Sequence, residues 1–428
     1  MRKLSFCLAV FFLFSMFSGC SAKNDVSKYG SIGGSTDNRT VIWTSSAEFT
    51  QYIELFNRTH PDNNVVIVYK ENPADCLPPA RDETNPDIVV GPYLRSDKTS
   101  KYFKSLDYLF DRQIISTDDF YPQLIEAGKV HKTQYLLPVS FNLPVIIFDS
   151  QYKDLITNNY TLSLEQIREI SSNFNVQNKN GVYTKMGFTP LSYSAFPYLV
   201  SKLYGTNFHL EKDDVAFDNR VLKSSINFLK DWSVNANTSI QMEDDFAYKY
   251  LFMPERRQVT SGRCLFSYTT SDELFRFMND ENEEIDYRWI YQGTVIPMED
   301  SFVMMGIYRK ANNLVGATEF ISWFMQSENQ RATLDRKAKA NLDTEKFGIA
   351  GGFSSLRDVT ERVLPVYYKK LLTNLPPSQM ISVPPKLPAK WESYKEIVVE
   401  PYIKDACHSD EMPDMSGYIK EWEKQILN

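Results

Sequence analysis

The chain has 428 residues, with 47 Lys and Arg against 54 Asp and Glu and a formal net charge of −7. So acidic a chain, without any long Lys/Arg cluster, is excluded as a binder of nucleic-acid phosphates. Its five cysteines and four histidines are scattered without zinc-ligand spacing, so no metal and no cofactor are expected. At about 150 residues per domain, the length predicts two or three domains with sizeable cores.

Arg2 and Lys3 precede a mainly apolar run, Leu4 to Phe17, that ends in Ser18, Gly19 and Cys20. This reads as a secretory signal peptide over residues 1–19, since a bilayer span needs about 20 apolar residues. Phe17, Ser18, Gly19 and Cys20 resemble the lipobox of bacterial lipoproteins, with phenylalanine where leucine is usual. That resemblance implies lipid on Cys20 and an extracytoplasmic protein anchored to a bacterial membrane, on its periplasmic side or at the cell surface. Residues 20–39, rich in Ser, Gly, Asn and charge, read as a flexible tether.

The first strand is predicted at Val41 to Thr44, followed by a helix whose Phe49, Ile53 and Phe56 share a face. Ser45 and Glu48 have the spacing of a capping box for that helix. A second strand at Val65 to Tyr69 completes a β, α, β unit, the building block of a parallel, helix-covered sheet. Ile88 to Val90 reads as a third strand, and Phe103, Leu106, Leu109 and Phe110 repeat at helical spacing. Strands are predicted at Tyr135 to Val139 and Val145 to Phe148. Next come a helix near Val221 to Trp232, a strand at Arg263 to Tyr268, a helix from Asp272 to Met278 and a strand at Phe302 to Tyr308. The last hundred residues are predicted mainly helical, apart from a proline-rich connector over Leu375 to Pro388.

In this order the segments NPDIVVG, SLDYLF, QYLLPVSFNLPVIIFD, SGRCLFSYTTSDELF, YQGTVIPMEDSFVMMGIYRK and FGIAGGFSSLRDV resemble the bacterial extracellular solute-binding proteins of ABC importers, specifically the sugar-binding group that includes maltose-binding protein. The resemblance runs from Val41 to near the C-terminus. It implies an α/β, periplasmic-binding-protein type II-like fold, in which two lobes joined by crossing strands close on a solute. The lobes are expected over 40–141 plus 303–347 and over 142–302 plus 348–428. A saccharide or related polyhydroxylated ligand, an ABC importer permease as partner and a monomeric receptor are implied with it.

Sugars present flat CH faces ringed by hydroxyls, so their sites combine aromatic plates with short polar side chains. Candidate ligand residues follow the strand ends, where open α/β sheets bind ligands. They are Trp43, Ser45, Ser46 and Glu48 at the C-terminal end of the first strand, Tyr93 after the third and Asn142 at the first crossing. Tyr193, Tyr268, Thr269, Trp289 and Asp300 extend the set in the second lobe and at the return crossing. Gly352, Phe353 and Ser354 flank the third crossing, where glycine lets backbone approach a ligand.

Catalytic readings find little support. No GxSxG, HExxH or P-loop occurs, and Ser150 to Lys153 forms SxxK without its companion motifs, so the chain is not expected to be an enzyme. Alternative cargoes are a ferric ion, for which Tyr367 and Tyr368 are adjacent tyrosines in a helical pattern, a polyamine or a peptide. A lipoprotein that keeps the fold as an adhesin or scaffold is a further alternative.

Overall fold

The computed structural model describes residues 39–96, 101–156, 158–211, 214–278, 284–340 and 346–427. The expected signal peptide, Cys20 and all of the tether except Arg39 lie outside the described residues.

Strand β1 (Arg39–Thr44) pairs in parallel with β2 (Asn64–Tyr69), and helix α1 (Phe49–Thr59) makes the crossover. α1 buries Phe49, Tyr52, Ile53 and Phe56, spaced three or four apart so that they share one face. The expected capping box does not form, because the helix starts at Phe49 with Glu48 rather than Ser45 in the cap position, and no side-chain cap bond is made. Its carboxylate instead meets Lys337 Nζ at 2.9 Å, with both side chains buried. β3 (Ile88–Gly91) pairs in parallel with the other edge of β1. The helix expected over Phe103 to Phe110 shrinks to Asp107–Asp111. Phe103 bridges to Tyr308 in extended backbone, and the Leu106 amide donates to Gln134.

β4 (Leu137–Phe141) passes through Asn142 and Leu143 into β5 (Pro144–Asp149), and this step changes sheets. The second sheet has the order β7 (Phe266–Thr270), β5, β8 (Ile285–Tyr291), β6 (Thr161–Ser163). One of its faces is covered by α2 (Ala195–Tyr204) and α3 (Asn219–Ala236), where Phe196 sits between Trp232 and Tyr268. Asp218 starts α3 by accepting from the amides of Arg220 and Val221. α4 (Ser271–Phe277) follows β7 directly.

After β8 and the short β9 (Ile296–Pro297), the chain returns through Met298 to Phe302 into β10 (Val303–Ile307). The first sheet has the order β11 (Phe353–Ser354), β4, β10, β3, β1, β2, with β10 antiparallel to both neighbours. Phe353 and Ser354 thus belong to the first sheet, whereas the expected lobe division assigns everything from residue 348 to the second lobe. α5 (Leu314–Phe324) and α6 (Ser327–Lys339) precede β11, and Phe320 and Phe324 of α5 pack on the rings of α1.

The proline-rich connector is integrated into the fold. Its strand β12 (Ile381–Ser382) pairs in parallel with β9. Beyond it, α7 (Glu400–His408) is preceded by a π-helical turn at Lys395–Val399, matched by another at Val359–Val363. Each turn is followed two residues later by a proline, Pro401 or Pro365, whose missing N–H interrupts the regular ladder. Among the described residues, no helix is long and apolar enough to cross a membrane.

Candidate functional site

The C-terminal ends of β1, β3 and β4 face the second sheet across a cleft. A cavity of about 240 Å³ opens there, lined from the first sheet by Ser45, Ser46, Pro92, Ser140 and Asn142 and from α4 by Asp272, Glu273 and Arg276. Ser301, Val303, Lys346, Phe347, Ala350 and Gly351 complete its wall. Two features make it suited to a polar ligand. The buried Ser46 hydroxyl has no hydrogen-bond partner among the described residues, a cost that a ligand hydroxyl would remove. Opposite it, Arg276 holds Glu273 at 2.6 Å, placing fixed charge on the α4 side.

Asn142 ties the base of the cleft together. Its Nδ2 donates to the Gly351 carbonyl at 2.8 Å, and its Oδ1 accepts from Ser271 Oγ at 2.8 Å. Its own carbonyl accepts from the Glu299 amide at 2.9 Å. The first crossing, the return crossing, the turn before β11 and the start of α4 therefore meet at one residue. Gly352 is required in that turn, because a Cβ there would lie 2.6 Å from the Phe141 carbonyl oxygen.

Beside the cavity, the return crossing carries a buried polar network. Asp300 accepts from Tyr198 at 2.5 Å, from Trp391 Nε1 at 2.7 Å and from Lys202 Nζ at 2.7 Å. Burial opposes its charge, but Lys202 and Lys395 outweigh that and hold its carboxyl below the usual range. Burial pushes the neighbouring Glu299 up to about 7, with Lys202 working against the shift and Asp300 adding to it. Tyr93 reaches across to donate its hydroxyl to Glu392, which also holds Lys395 at 2.6 Å. Tyr93 does so from a left-handed backbone, φ +60°, a strained conformation for a bulky residue.

Of the residues expected from sequence, Ser45, Ser46 and Asn142 line the cavity, and Gly352 shapes its base. Tyr93 and Asp300 stand beside it in the polar network. Of the expected aromatic plates, Trp43, Tyr268, Trp289 and Phe353 are buried and Tyr193 is half-buried. Trp43 is fully buried with Lys70 Nζ 4.5 Å above its ring, and Trp289 packs between Tyr287 and Phe353. Tyr193 stacks on Phe188 and donates to Ser267, and Tyr268 lies against Tyr193 and Phe196. Glu48 is committed to Lys337, Phe353 to the Phe141 and Phe347 rings, and Ser354 to Gln330 at 2.7 Å. Thr269 lines a separate, largely apolar cavity with Ile147, Leu274 and Met278, which shares Glu273 with the cleft.

Sequence reasoning did not single out Asp272, Arg276 or Lys346 in the wall, nor Glu392 and Lys395 beside it. The acidic opening of α4 directly after a strand was the one available signal. The ferric reading finds its two hydroxyls engaged separately, that of Tyr367 with Asp335 and that of Tyr368 with the Gly348 amide. Among the described residues, no group of three or more His, Cys, Asp or Glu is placed to hold a metal.

The fold is that of type II periplasmic sugar-binding proteins. The sugar-binding protein MalE from Xanthomonas citri is similar at TM-score 0.61 and 11% identity, covering 90% of this chain and 96% of its own. CpMnBP1, in a structure with mannobiose bound, is similar at 0.59 and 14%, with 90% and 99% covered. The GacH receptor of Streptomyces glaucescens, characterised unliganded and with acarbose, is similar at 0.57 and 13%, with 90% and 97% covered. No curated protein matches the chain. Residues 43–331 match the family described as bacterial extracellular solute-binding protein, and the chain belongs to that family.

Proposed function

We propose that this protein is the receptor of an ABC importer, capturing a saccharide or related polyhydroxylated solute between its two lobes and delivering it to a permease. The observation that carries the reading is the polar cavity between the two sheets, with the Asn142 junction at its base. A solute held by Ser45, Ser46 and Asn142 on one side and by α4 on the other contacts both lobes. Only such two-sided contact gives the closed state a differential affinity, and equal affinity for open and closed forms shifts nothing. The loaded, closed form is the species a permease distinguishes from the empty one. Lipid on Cys20, followed by a tether, keeps the receptor near that permease and raises its effective concentration there.

The test is a thermal-shift screen of the mature protein against sugars, polyamines, peptides and ferric citrate. A ligand that binds only the native state raises the melting temperature, and a rise with at least one saccharide is expected. A response to ferric citrate, polyamine or peptide, with none to any sugar, overturns the saccharide assignment. Turnover of a saccharide under the same conditions overturns the receptor assignment in favour of an enzyme.

A further inference from the structure

We propose that the cleft admits a single saccharide unit, and that the Tyr93–Glu392 bridge is the wall that sets this length; the proposal rests on the receptor reading above. Three observations carry it.

The first is the missing stacking surface. Trp43, Trp232, Trp289 and Trp391 are fully buried, Trp323 is 8% exposed, and Trp422 packs edge-on against Tyr394. Among the described residues, Phe347 is the aromatic residue in the cavity wall, and it is itself fully buried against Phe275. An oligosaccharide held along its length needs an aromatic face for successive units. This cavity offers hydroxyls, an amide and charges instead, which suit the edge of one ring.

The second is size. The cavity of about 240 Å³ falls below the range of about 300–1,000 Å³ typical of small-molecule sites.

The third is what adjoins its lining. From the cavity-lining Pro92 the chain runs directly into Tyr93, and from Ser301 directly back to Asp300. Both neighbours are tied to the C-terminal segment, Tyr93 to Glu392 and Asp300 to Trp391. That segment is fastened to the first lobe at further points. The Arg95 guanidinium donates to the carbonyls of Pro384 and Pro385 at 2.6 and 3.1 Å, and Asn72 Nδ2 donates to that of Ala389 at 2.7 Å. A second sugar unit on this side would have to displace the bridge.

The experiment is calorimetric titration of the mature protein, its Glu392→Ala variant and its Tyr93→Phe variant with glucose, mannose and galactose and with maltotriose and mannotriose. Tyr93→Phe keeps the ring and loses only the hydroxyl, so it stands in if the other variant unfolds. Wild type is expected to bind one monosaccharide about tenfold or more tighter than its trisaccharide. Either folded variant is expected to narrow that ratio by gaining trisaccharide affinity. A trisaccharide that binds wild type as tightly as its monosaccharide overturns the proposal and leaves the receptor reading standing, as does a ratio unchanged in both folded variants. Failure of every sugar to bind overturns the saccharide assignment, and this inference with it.

Discussion

The amide of Asn142 is shared between Gly351, whose carbonyl accepts from its Nδ2, and Ser271, whose hydroxyl donates to its Oδ1, both at 2.8 Å. A side chain so placed acts as a joint between the sheets as well as a wall of the cavity. Asn142→Ala leaves the Ser271 hydroxyl and the Gly351 carbonyl short of a partner. The expected cost is about 1–3 kcal/mol of stability per buried group left unsatisfied. Urea denaturation measures it, and a Ser45→Ala control, which touches the cavity without the joint, is expected to change stability far less.

Glu48 illustrates a different kind of burial. Its pair with Lys337 is 2.9 Å long, with side-chain exposures of 7% and 3%. Lys337→Met strands a carboxylate in the interior and is expected to cost about 3–5 kcal/mol, whereas replacing both partners with apolar residues costs far less. Equal losses in the single and double variants, read by chemical denaturation, would contradict this account.

Glu299 gives the protein a pH signature. Its folded-state pKa is raised to about 7, chiefly by burial, so the neutral form is the one the fold favours. Its contribution is therefore complete below the ordinary glutamate range and is lost as pH rises through 7. Glu299→Gln is expected to melt higher than wild type at pH 8 and to converge with it at pH 5. Asp300 has the opposite sign. Its carboxyl is held low, so its stabilisation is present at neutral pH and is lost on acidification below the usual aspartate range. Glu243, also pushed up to about 7 by burial, contributes in the same direction as Glu299, which is why the comparison is made against the single variant.

Much of the fold is legible in the sequence. The β-branched run Val65 to Val68, the apolar spacing of Phe49, Ile53 and Phe56, and the short run Ile88 to Val90 are local signals, and each became the element it predicts. Ser45, Ser46 and Asn142 were accessible for a topological reason, since residues just after strand ends face the ligand side of such sheets. The aromatic plates were not. Composition marks a ring as large and apolar without saying which neighbour covers it, and Trp289 and Phe353 found each other. Tyr93 and Glu392 are 299 positions apart, and nothing local to either indicates that they meet. The capping-box spacing of Ser45 and Glu48 misled because a buried lysine competes for the same carboxylate.

The proposed lipid on Cys20 has its own test. In a bacterial host, Cys20→Ser is expected to abolish incorporation of labelled palmitate and release the protein from the membrane fraction. Label retained in the variant would place the lipid elsewhere.

A saccharide is expected to close the two lobes about the Asn142 junction. Small-angle X-ray scattering of the mature protein tests it most directly, with and without a saccharide that calorimetry shows to bind. A smaller radius of gyration is expected in the saturated sample. An unchanged profile at full saturation would contradict it.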